Sequence, residues 1–340
     1  MTQGLALLAP TFAEFLGLRD ALRRAHPSLW DCSNTRMAQA LAGHLADPTT
    51  LAVPAQGYRC HVAGHWLAHF GLPEGWRPRA LVTQGVRQSL AALLGHFARA
   101  GKRVLLPADV YPVYLDIANK SGCAWQGYDT WPSLDLHMLS GASPVDVLVL
   151  ANPVKPRGAR LSAAELSGIL DWLRADAGRR VVIDAVYTFE PRLDTATMAL
   201  YGTGQGVVLH SLSKGWAAPL VAGVALVPDQ DVLELTTVFR GLSMQRETLG
   251  LAEALLARDQ DRPQQLAAQL DSWGCKLEEG LSLRGAPVPA GLRAPLPGQY
   301  LFVAEGSWLE LFEQYRVLAL PLSVFGSRRP DACVLSSLPG

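Results

Sequence analysis

Hydrophobic and polar positions in the middle of the chain alternate between two patterns. Short apolar runs are typical of strands buried on both faces of a parallel sheet. Between them, apolar residues recur every three or four positions, as on one face of a helix. The runs predict strands at 79–85, 102–107, 145–153, 179–187, 206–214 and 221–228. The stretches between predict helices at 86–101, 111–122 and 162–178. This alternation predicts an α/β fold whose site lies at the carboxyl ends of the strands.

The two ends of the chain have a different texture from the middle. Residues 11–25 and 36–46 predict amphipathic helices, and the sequence after Pro228 is largely helical up to residue 281. A smaller α+β lobe is then predicted from 298–306, 307–315, 316–323 and 332–338. We expect three parts: an N-terminal helical segment of a small domain (1–50), a large α/β domain (51–245) and the C-terminal part of the small domain (246–340).

Composition narrows the functional classes. Lys plus Arg and Asp plus Glu number 30 each, so no charge excess favours binding to nucleic acid or an anionic membrane. No apolar run reaches membrane-spanning length, and the N-terminus lacks the basic start of a signal peptide. The five cysteines are scattered without a CxxC pair, which indicates neither a disulfide framework nor a zinc site. We therefore expect a cytoplasmic protein with no membrane or nucleic-acid partner.

Two motifs invite a functional interpretation that their context does not support. His61, His65 and His69 are spaced by four and would share one helical face, as metal ligands can. No carboxylate accompanies them at that spacing, so we favour a helix face near a domain interface and expect no metal. The glycine-rich segment 202–206 imitates a dinucleotide loop but precedes a strand instead of following one, so we expect a turn.

Polar residues follow the ends of several predicted strands in one order. The segments are TQGVRQSL, LPADVYPVY, ANPVKPRG, IDAVY and HSLSKGWAAPLVAG. Together they resemble the boxes of the class I/II aminotransferase family, enzymes of fold type I that depend on pyridoxal 5′-phosphate (PLP). Each box alone is a weak signal, and the specificity lies in their order and spacing. Asn152 precedes Asp184 by 32 residues, and Lys214 follows Asp184 by 30.

The resemblance implies a role for each of these residues. Lys214 would carry PLP as a Schiff base, and Asp184 would keep the pyridine nitrogen protonated. Tyr187 and Asn152 would lie at the phenolic oxygen. The other implied cofactor contacts are a ring-stacking tyrosine, backbone donors for the phosphate and a phosphate-binding hydroxyl: Tyr111, then Gly85, Val86 and Arg87, and Ser211. The resemblance also implies a mostly parallel mixed central sheet between helices, a smaller α+β lobe from the chain ends, a homodimer and a small amino substrate.

Several of these residues have a plainer interpretation. Lys214 could be a solvated lysine after a strand, and Asp184 a helix cap or a polar strand end. Tyr111 could simply pack at a helix start. Arg87 could be a surface residue that contributes only its backbone.

Two departures from the family pattern bear on the substrate. The arginine that normally follows the lysine and binds the phosphate is replaced by the apolar segment 220–222, which leaves Arg240 and Arg246 as candidates. Leu335 occupies roughly the place of the arginine that grips the substrate carboxylate. We therefore expect an unusual substrate of specialised biosynthesis. It would lack a free α-carboxylate, be tethered to a carrier or bind in a reshaped pocket.

Three functions remain open on the sequence. The first is transamination. The second is another PLP reaction of the same fold type, namely a lyase, decarboxylase or cyclase, because fold does not fix reaction. The third is a non-catalytic PLP-binding module, which the intact Lys214 and Asp184 disfavour.

Overall fold

The computed structural model of the protein describes residues 10–42, 44, 57–110, 112–140, 145–218, 222–240, 243–327 and 329–340. Its strands are β1 (Trp30–Asp31), β2 (Ala80–Thr83), β3 (Arg103–Pro107), β4 (Ala124–Tyr128), β5 (Val147–Ala151), β6 (Arg180–Asp184), β7 (Gly206–Ser211), β8 (Gly223–Leu226), β9 (Leu301–Glu305), β10 (Val317–Leu318), β11 (Leu320–Pro321) and β12 (Ala332–Ser336). Its helices are α1 (Phe12–Ala25), α2 (Met37–Ala40), α3 (Arg59–His69), α4 (Val86–Arg99), α5 (Val113–Ser121), α6 (His137–Ser140), α7 (Ala163–Arg174), α8 (Thr195–Leu200), α9 (Leu212–Gly215), α10 (Val232–Arg240), α11 (Arg246–Arg258), α12 (Arg262–Leu283), α13 (Ala290–Arg293) and α14 (Trp308–Tyr315).

The main sheet has the strand order β2-β8-β7-β6-β5-β3-β4. Strands β4, β3, β5, β6 and β7 run parallel, whereas β8 is antiparallel to both β7 and β2. Every residue of β5 and of β7 is buried, as expected for central strands covered on both faces. The predicted fold class, an α/β protein with a mostly parallel mixed sheet, is confirmed.

Buried apolar side chains form two separate clusters. The first fills the space around the main sheet and draws on residues 62–256. The second combines residues 15–41 and Phe189 with residues 266–338. It surrounds a small antiparallel sheet of order β11-β12-β9. The second cluster is therefore built from both ends of the chain.

Pairing of β1 with β10 joins the N-terminal segment to the C-terminal lobe. The two strands run parallel, with Trp30 opposite Val317. Helix α1 adds to this junction, because the ring of Phe15 meets that of Trp308 edge-on with centroids 6.0 Å apart. Helix α11 instead packs its apolar residues into the first cluster. The domain boundaries after residues 50 and 245 stay a prediction.

Most predicted elements lie where the hydrophobic pattern places them. The capping box at the start of α7 forms, with Ser162 and Glu165 bonding reciprocally. The glycine-rich segment 202–206 is a turn that leads into β7. Strand β4 was not predicted, because it is an edge strand with largely exposed residues and lacks an apolar run. Within the predicted helix 36–46 the structure gives only α2, and residues 43 and 45–46 lie outside the described part.

The helices can be compared with membrane-spanning segments in length and hydropathy. Among the residues that the structure describes, no helix combines the length and apolar character needed to span a bilayer. All five cysteines are free thiols.

Candidate active site

Asp184 ends β6 and is buried at the carboxyl edge of the main sheet. The Tyr114 hydroxyl, from α5, donates a short hydrogen bond to one carboxylate oxygen, and the Val186 backbone N–H donates to the other at 3.0 Å. Burial raises the pKa of Asp184 to about 6, although both hydrogen bonds and the charge of Lys214 act in the opposite direction. Asp184 is therefore oriented by two donors, and the effect of burial on its pKa outweighs that of the Lys214 charge.

Lys214 lies on the short helix α9, directly after β7. Burial lowers the pKa of its amine, the charge of Arg87 lowers it further, and Asp184 opposes both effects. The Lys214 Nζ lies 5.7 Å from the centroid of the Tyr187 ring. The structure thus brings Lys214, Asp184 and Tyr187 together, and the lowered pKa increases the fraction of neutral, nucleophilic amine.

A glycine turn precedes α4 on the same side of the sheet. Gly85 is the N-cap residue with φ of 86°, and no side chain caps this helix start within the described residues. The backbone comes close to β8 here: a Cβ on Gly223 would lie 2.9 Å from the Gly85 Cα. The first N–H groups of a helix have no partner within the helix, so Val86 and Arg87 lie where backbone donors bind anions. The Gly85 N–H donates to the Thr83 hydroxyl at 3.3 Å, and its predicted phosphate contact stays a prediction.

From the sequence, Arg87 was assigned a role only through its backbone N–H. It is exposed, yet its charge lies close enough to Lys214 to lower the pKa of that amine. Of the two arginines considered for the phosphate, Arg246 is exposed at the start of α11. The side chain of Arg240 lies outside the described residues. Arg87 is therefore a cation that the structure locates near the glycine turn and Lys214.

Ser211 is buried and caps α9, the helix that carries Lys214. Its Oγ accepts a hydrogen bond from the Ser213 N–H at 3.3 Å. The hydroxyl lies 3.0 Å from the Ser213 Oγ and 3.2 Å from the Ala222 carbonyl. These contacts orient the start of the lysine-bearing helix. The predicted phosphate contact of Ser211 stays a prediction.

Asn152 follows β5 and is fully buried, with its amide bonded to the protein. Its Nδ2 donates to both Asp194 carboxylate oxygens and to the Thr197 hydroxyl, all at 2.9 Å. Its Oδ1 accepts from the Leu161 N–H at 3.1 Å. Asn152 thereby ties the loop after β5 to the start of α8, and its predicted contact with a phenolic oxygen stays a prediction.

Tyr187 connects the main sheet to the smaller lobe. Its hydroxyl lies 3.1 Å from that of Tyr300, which precedes β9 and belongs to the second hydrophobic cluster. Lys155, in the loop after β5, places its Nζ 5.3 Å from the Tyr187 ring centroid and 5.8 Å from that of Tyr300. The candidate site therefore lies where the two lobes meet.

Three side chains of this site were missed on the sequence. Tyr114 stands three residues after Tyr111, a spacing that shares one helix face, and this was the available signal. Lys155 stands between Val154 and Pro156 in the proline-rich box 151–158, and its charge was the available signal. Tyr300 had no signal, because only the packing of the small lobe brings it to Tyr187. Tyr111 itself lies outside the described residues.

Leu335 was predicted to stand roughly where the family has a carboxylate-binding arginine, and this equivalence stays a prediction. Leu335 lies on β12 opposite Phe302, and it is fully buried in the second hydrophobic cluster. An aliphatic side chain at this place offers no hydrogen bond to a carboxylate.

The three spaced histidines meet different neighbours. His61 is exposed and its Nδ1 lies 3.1 Å from a Glu253 carboxylate oxygen. His69 is buried against the ring of Trp216, and burial lowers its pKa to about 4. In the described part of the chain, no group of three His, Cys, Asp or Glu residues is arranged to hold a metal ion.

Comparison with known proteins gives a consistent family. The model of the family "Aminotransferase class I and II" matches residues 65–272, more than half of the chain. A probable N-acetyl-LL-diaminopimelate aminotransferase of Bacillus subtilis is 27% identical over 201 residues, covering 53% of this chain and 50% of the relative. A histidinol-phosphate aminotransferase of Paramagnetospirillum magneticum is 32% identical over 168 residues, covering 44% of each protein. The chain thus matches about half the length of these curated relatives, or less.

Solved structures share the fold over nearly the whole chain. An Escherichia coli protein described as having a methionine aminotransferase function superposes with a TM-score of 0.70 at 18% identity. The superposition covers 94% of this chain and 91% of that one. At this identity the likeness shows the common fold.

Proposed function

Because the chain belongs to the aminotransferase class I and II family, we propose that it is a PLP-dependent aminotransferase of a small amino substrate. The observation that carries this proposal is the pairing of Lys214 with Asp184. A largely buried amine with a lowered pKa acts electrostatically on a buried carboxylate whose pKa is raised to about 6. Perturbed acid and base groups that act on each other in a buried site are typical of catalytic centres.

The chemistry of the donor set fits PLP. The aldehyde of PLP requires an amine, its ring nitrogen a carboxylate and its phosphate a set of N–H donors. Lys214 and Asp184 would meet the first two needs. The glycine turn with the backbone of Gly85, Val86 and Arg87 would meet the third, with Ser211 and Tyr111 as further proposed contacts. When bound, PLP supplies an electron sink that stabilises negative charge on the substrate carbon.

The residues of the chain would orient the cofactor and move protons. Burial keeps part of the Lys214 amine neutral, so its Nζ can take a proton from the substrate carbon and return it. The bonds from Tyr114 and Val186 hold the Asp184 carboxylate in one orientation. Burial disfavours a negative charge on Asp184. A protonated ring nitrogen beside the carboxylate would supply the opposite charge and offset this cost.

The substrate side supports a specialised enzyme. Leu335 presents no charge where the family normally has an arginine, so an ordinary α-carboxylate lacks that anchor. We propose an unusual amino substrate of a biosynthetic reaction, a homodimer and a cytoplasmic location. The last two rest on the family resemblance and the composition.

Borohydride trapping tests the cofactor assignment. We expect the protein purified with PLP to show a visible absorption band and to gain one covalently attached cofactor on reduction. Peptide mass mapping should locate it at Lys214. Lys214→Ala should abolish the attachment, whereas Lys120→Met, a change of an exposed lysine on α5, should leave it intact. Attachment at another lysine would contradict the proposal.

A half-reaction distinguishes transamination from other PLP chemistry. We expect amino substrates from a screen to convert the bound cofactor to its amine form in one equivalent, with loss of the visible band. A second substrate carrying a carbonyl group should restore the band. Release of carbon dioxide or ammonia without any amino acceptor would instead favour a decarboxylase or lyase.

A further inference from the structure

Lys155 is fixed at the start of a tight loop after β5. The Val154 N–H donates to the Ala159 carbonyl at 2.8 Å, and the Gly158 N–H donates to the Val154 carbonyl at 2.7 Å. Gly158 has φ of 69° and packs so closely on Gln299 that any Cβ there would overlap the glutamine amide. The loop is thus seated on the segment that leads to Tyr300, and Lys155 points between the two lobes.

The amine of Lys155 is buried and has no hydrogen-bond partner among the described residues. The residue is only 5% exposed, and its Nζ donates a hydrogen bond to no acceptor in the described part. Asp271, on α12, is the charged group whose field favours its protonation, but the effect is smaller than that of burial. Burial lowers the pKa of Lys155 to about 7. Unpaired buried ammonium groups are costly, so a site that keeps one points to a negatively charged ligand.

The position of the Lys155 amine relative to the proposed active site indicates which anion it would bind. The Nζ of Lys155 and that of Lys214 lie 5.3 and 5.7 Å from the centroid of the same Tyr187 ring. In PLP the phenolic oxygen sits on the ring carbon next to the one that bears the aldehyde. A carboxylate on the reacting substrate carbon lies near that same oxygen. The phenolate and the substrate carboxylate would thus both lie beside the aldehyde carbon of PLP, to which Lys214 would be joined.

We propose that Lys155 binds an oxyanion beside the reacting carbon, either the phenolate of the cofactor or a carboxylate of the substrate. The proposal rests on the proposed function, since it needs the cofactor at Lys214. It gives the site a cation on the loop after β5, in place of the arginine that β12 lacks at Leu335. It also gives a role at the phenolic oxygen to an amine that has no hydrogen-bond partner among the described residues, whereas the Asn152 amide is bonded to Asp194, Thr197 and Leu161.

A structural role beside Asp271 is the competing explanation. The Asp271 Oδ1 accepts a hydrogen bond from the Gly298 N–H at 3.1 Å, and no ion pair joins Asp271 to Lys155 within the described residues. The aromatic rings of Tyr187 and Tyr300 also face the amine, and the Lys214 amine lies near the same Tyr187 ring. These neighbours provide contact without neutralising the charge.

The first test uses the cofactor-free protein. Lys155→Met removes the charge while keeping an unbranched side chain. We expect a higher melting temperature than wild type at pH 7 and a smaller gain at pH 9.5. The sign follows from the lowered pKa: the unfolded state binds the proton more tightly, so the wild type gains stability between pH 7 and about 10. Lys120→Met is the matched control. A lower melting temperature for Lys155→Met at both pH values would show a structural lysine and overturn the proposal.

The second test uses the protein loaded with PLP and separates the two oxyanions. If Lys155 contacts the phenolate, Lys155→Met should raise the pH midpoint of the cofactor absorption change by about one unit or more without any substrate. If it contacts the substrate, that midpoint should stay and the Kd of propionate, measured by the spectral change on binding, should rise about tenfold or more. No change in either measurement overturns the inference. Because borohydride attachment at Lys214 is scored independently, failure of the proposed function remains distinguishable.

Discussion

Individual charged residues in the candidate site occupy places where burial disfavours their charge. The carboxyl of Asp184 has a raised pKa, and the amines of Lys155 and Lys214 have lowered ones, with burial the largest cause in each case. Such groups reduce the stability of the folded protein when no opposite charge is close. Their retention in one region indicates that binding of a charged ligand, rather than stability, determines these positions.

Replacing Asp184 tests this view through the pH dependence of unfolding. Its folded-state pKa of about 6 exceeds the ordinary 3.8, so the folded protein binds this proton more tightly and loses stability as the pH rises toward and through 6. The cofactor-free Asp184→Asn protein should therefore gain stability over wild type between pH 5 and 8, and its cofactor affinity should fall. The difference between the two melting curves reports on Asp184 together with Lys214 and Tyr114, the groups on whose pKa its charge acts.

The exposed Asp171 supplies the control for this measurement. Asp171→Asn should leave the difference in melting temperature constant with pH, since the side chain is about two-thirds exposed. A parallel pH dependence for wild type and Asp184→Asn would mean that Asp184 ionises normally in the folded protein.

The candidate site is formed where several strands end and where helix α4 begins. Strands β5, β6 and β7 end side by side, with Ala151 in register with Asp184 and Asp184 in register with Leu209. Two elements begin with special backbone geometry. Helix α4 starts at Gly85 in a left-handed conformation, and β8 starts at Gly223 against it. A Cβ on Gly223 would lie 2.9 Å from the Gly85 Cα, so this close approach requires glycine.

Gly223→Ala should damage this junction specifically. The added Cβ would overlap the His210 carbonyl and lie 2.9 Å from the Gly85 Cα, and neither backbone can rotate away. We expect a loss of about 1–3 kcal/mol in the free energy of unfolding and weaker PLP binding, measured by denaturant titration and cofactor fluorescence. Gly168→Ala is the matched control, because that helical glycine has open space around its Cα and alanine there should be stabilising. Normal PLP affinity in Gly223→Ala would show that the contact between Gly223 and Gly85 is not needed for phosphate binding.

At the scale of the whole molecule, the two ends of the chain must meet before the smaller lobe is complete. Asp31 lies at this junction, on β1 opposite Leu318, and its carboxylate orders the N-terminal segment: it accepts a hydrogen bond from Arg19 at 2.8 Å and another from the Ser33 N–H at 3.0 Å. Its side chain is only 6% exposed, so the pair is shielded from water. Because Tyr300 of this lobe bonds to Tyr187, the junction also bears on the site.

Asp31→Ala should therefore destabilise the protein more than a surface change would. We expect a loss of about 2 kcal/mol or more, because the Arg19 guanidinium and the Ser33 groups lose a buried acceptor. Asp171→Ala, which breaks an exposed pair with Arg174, should change stability by no more than about 0.5 kcal/mol. Equal effects of the two substitutions in chemical denaturation would remove the structural role assigned to Asp31.

The sequence by itself determined the main sheet and the order of its chemistry. Buried strands such as β5 and β7 can be recognised in the sequence as continuous apolar runs. Polar residues that follow parallel strands meet at one edge of the sheet, because the carboxyl ends of those strands lie side by side. The edge strand β4 escaped because an exposed strand needs no apolar run. Tertiary structure alone decided which side chains face that edge unpaired. Nothing in the local sequence distinguishes Asn152, whose amide bonds to Asp194 and Thr197, from Lys155, whose amine has no hydrogen-bond partner in the part of the chain that the structure describes. Hydrogen-bond partners from distant segments, such as Tyr300 at Tyr187, are set by how the two lobes pack, and that packing is a property of the whole chain.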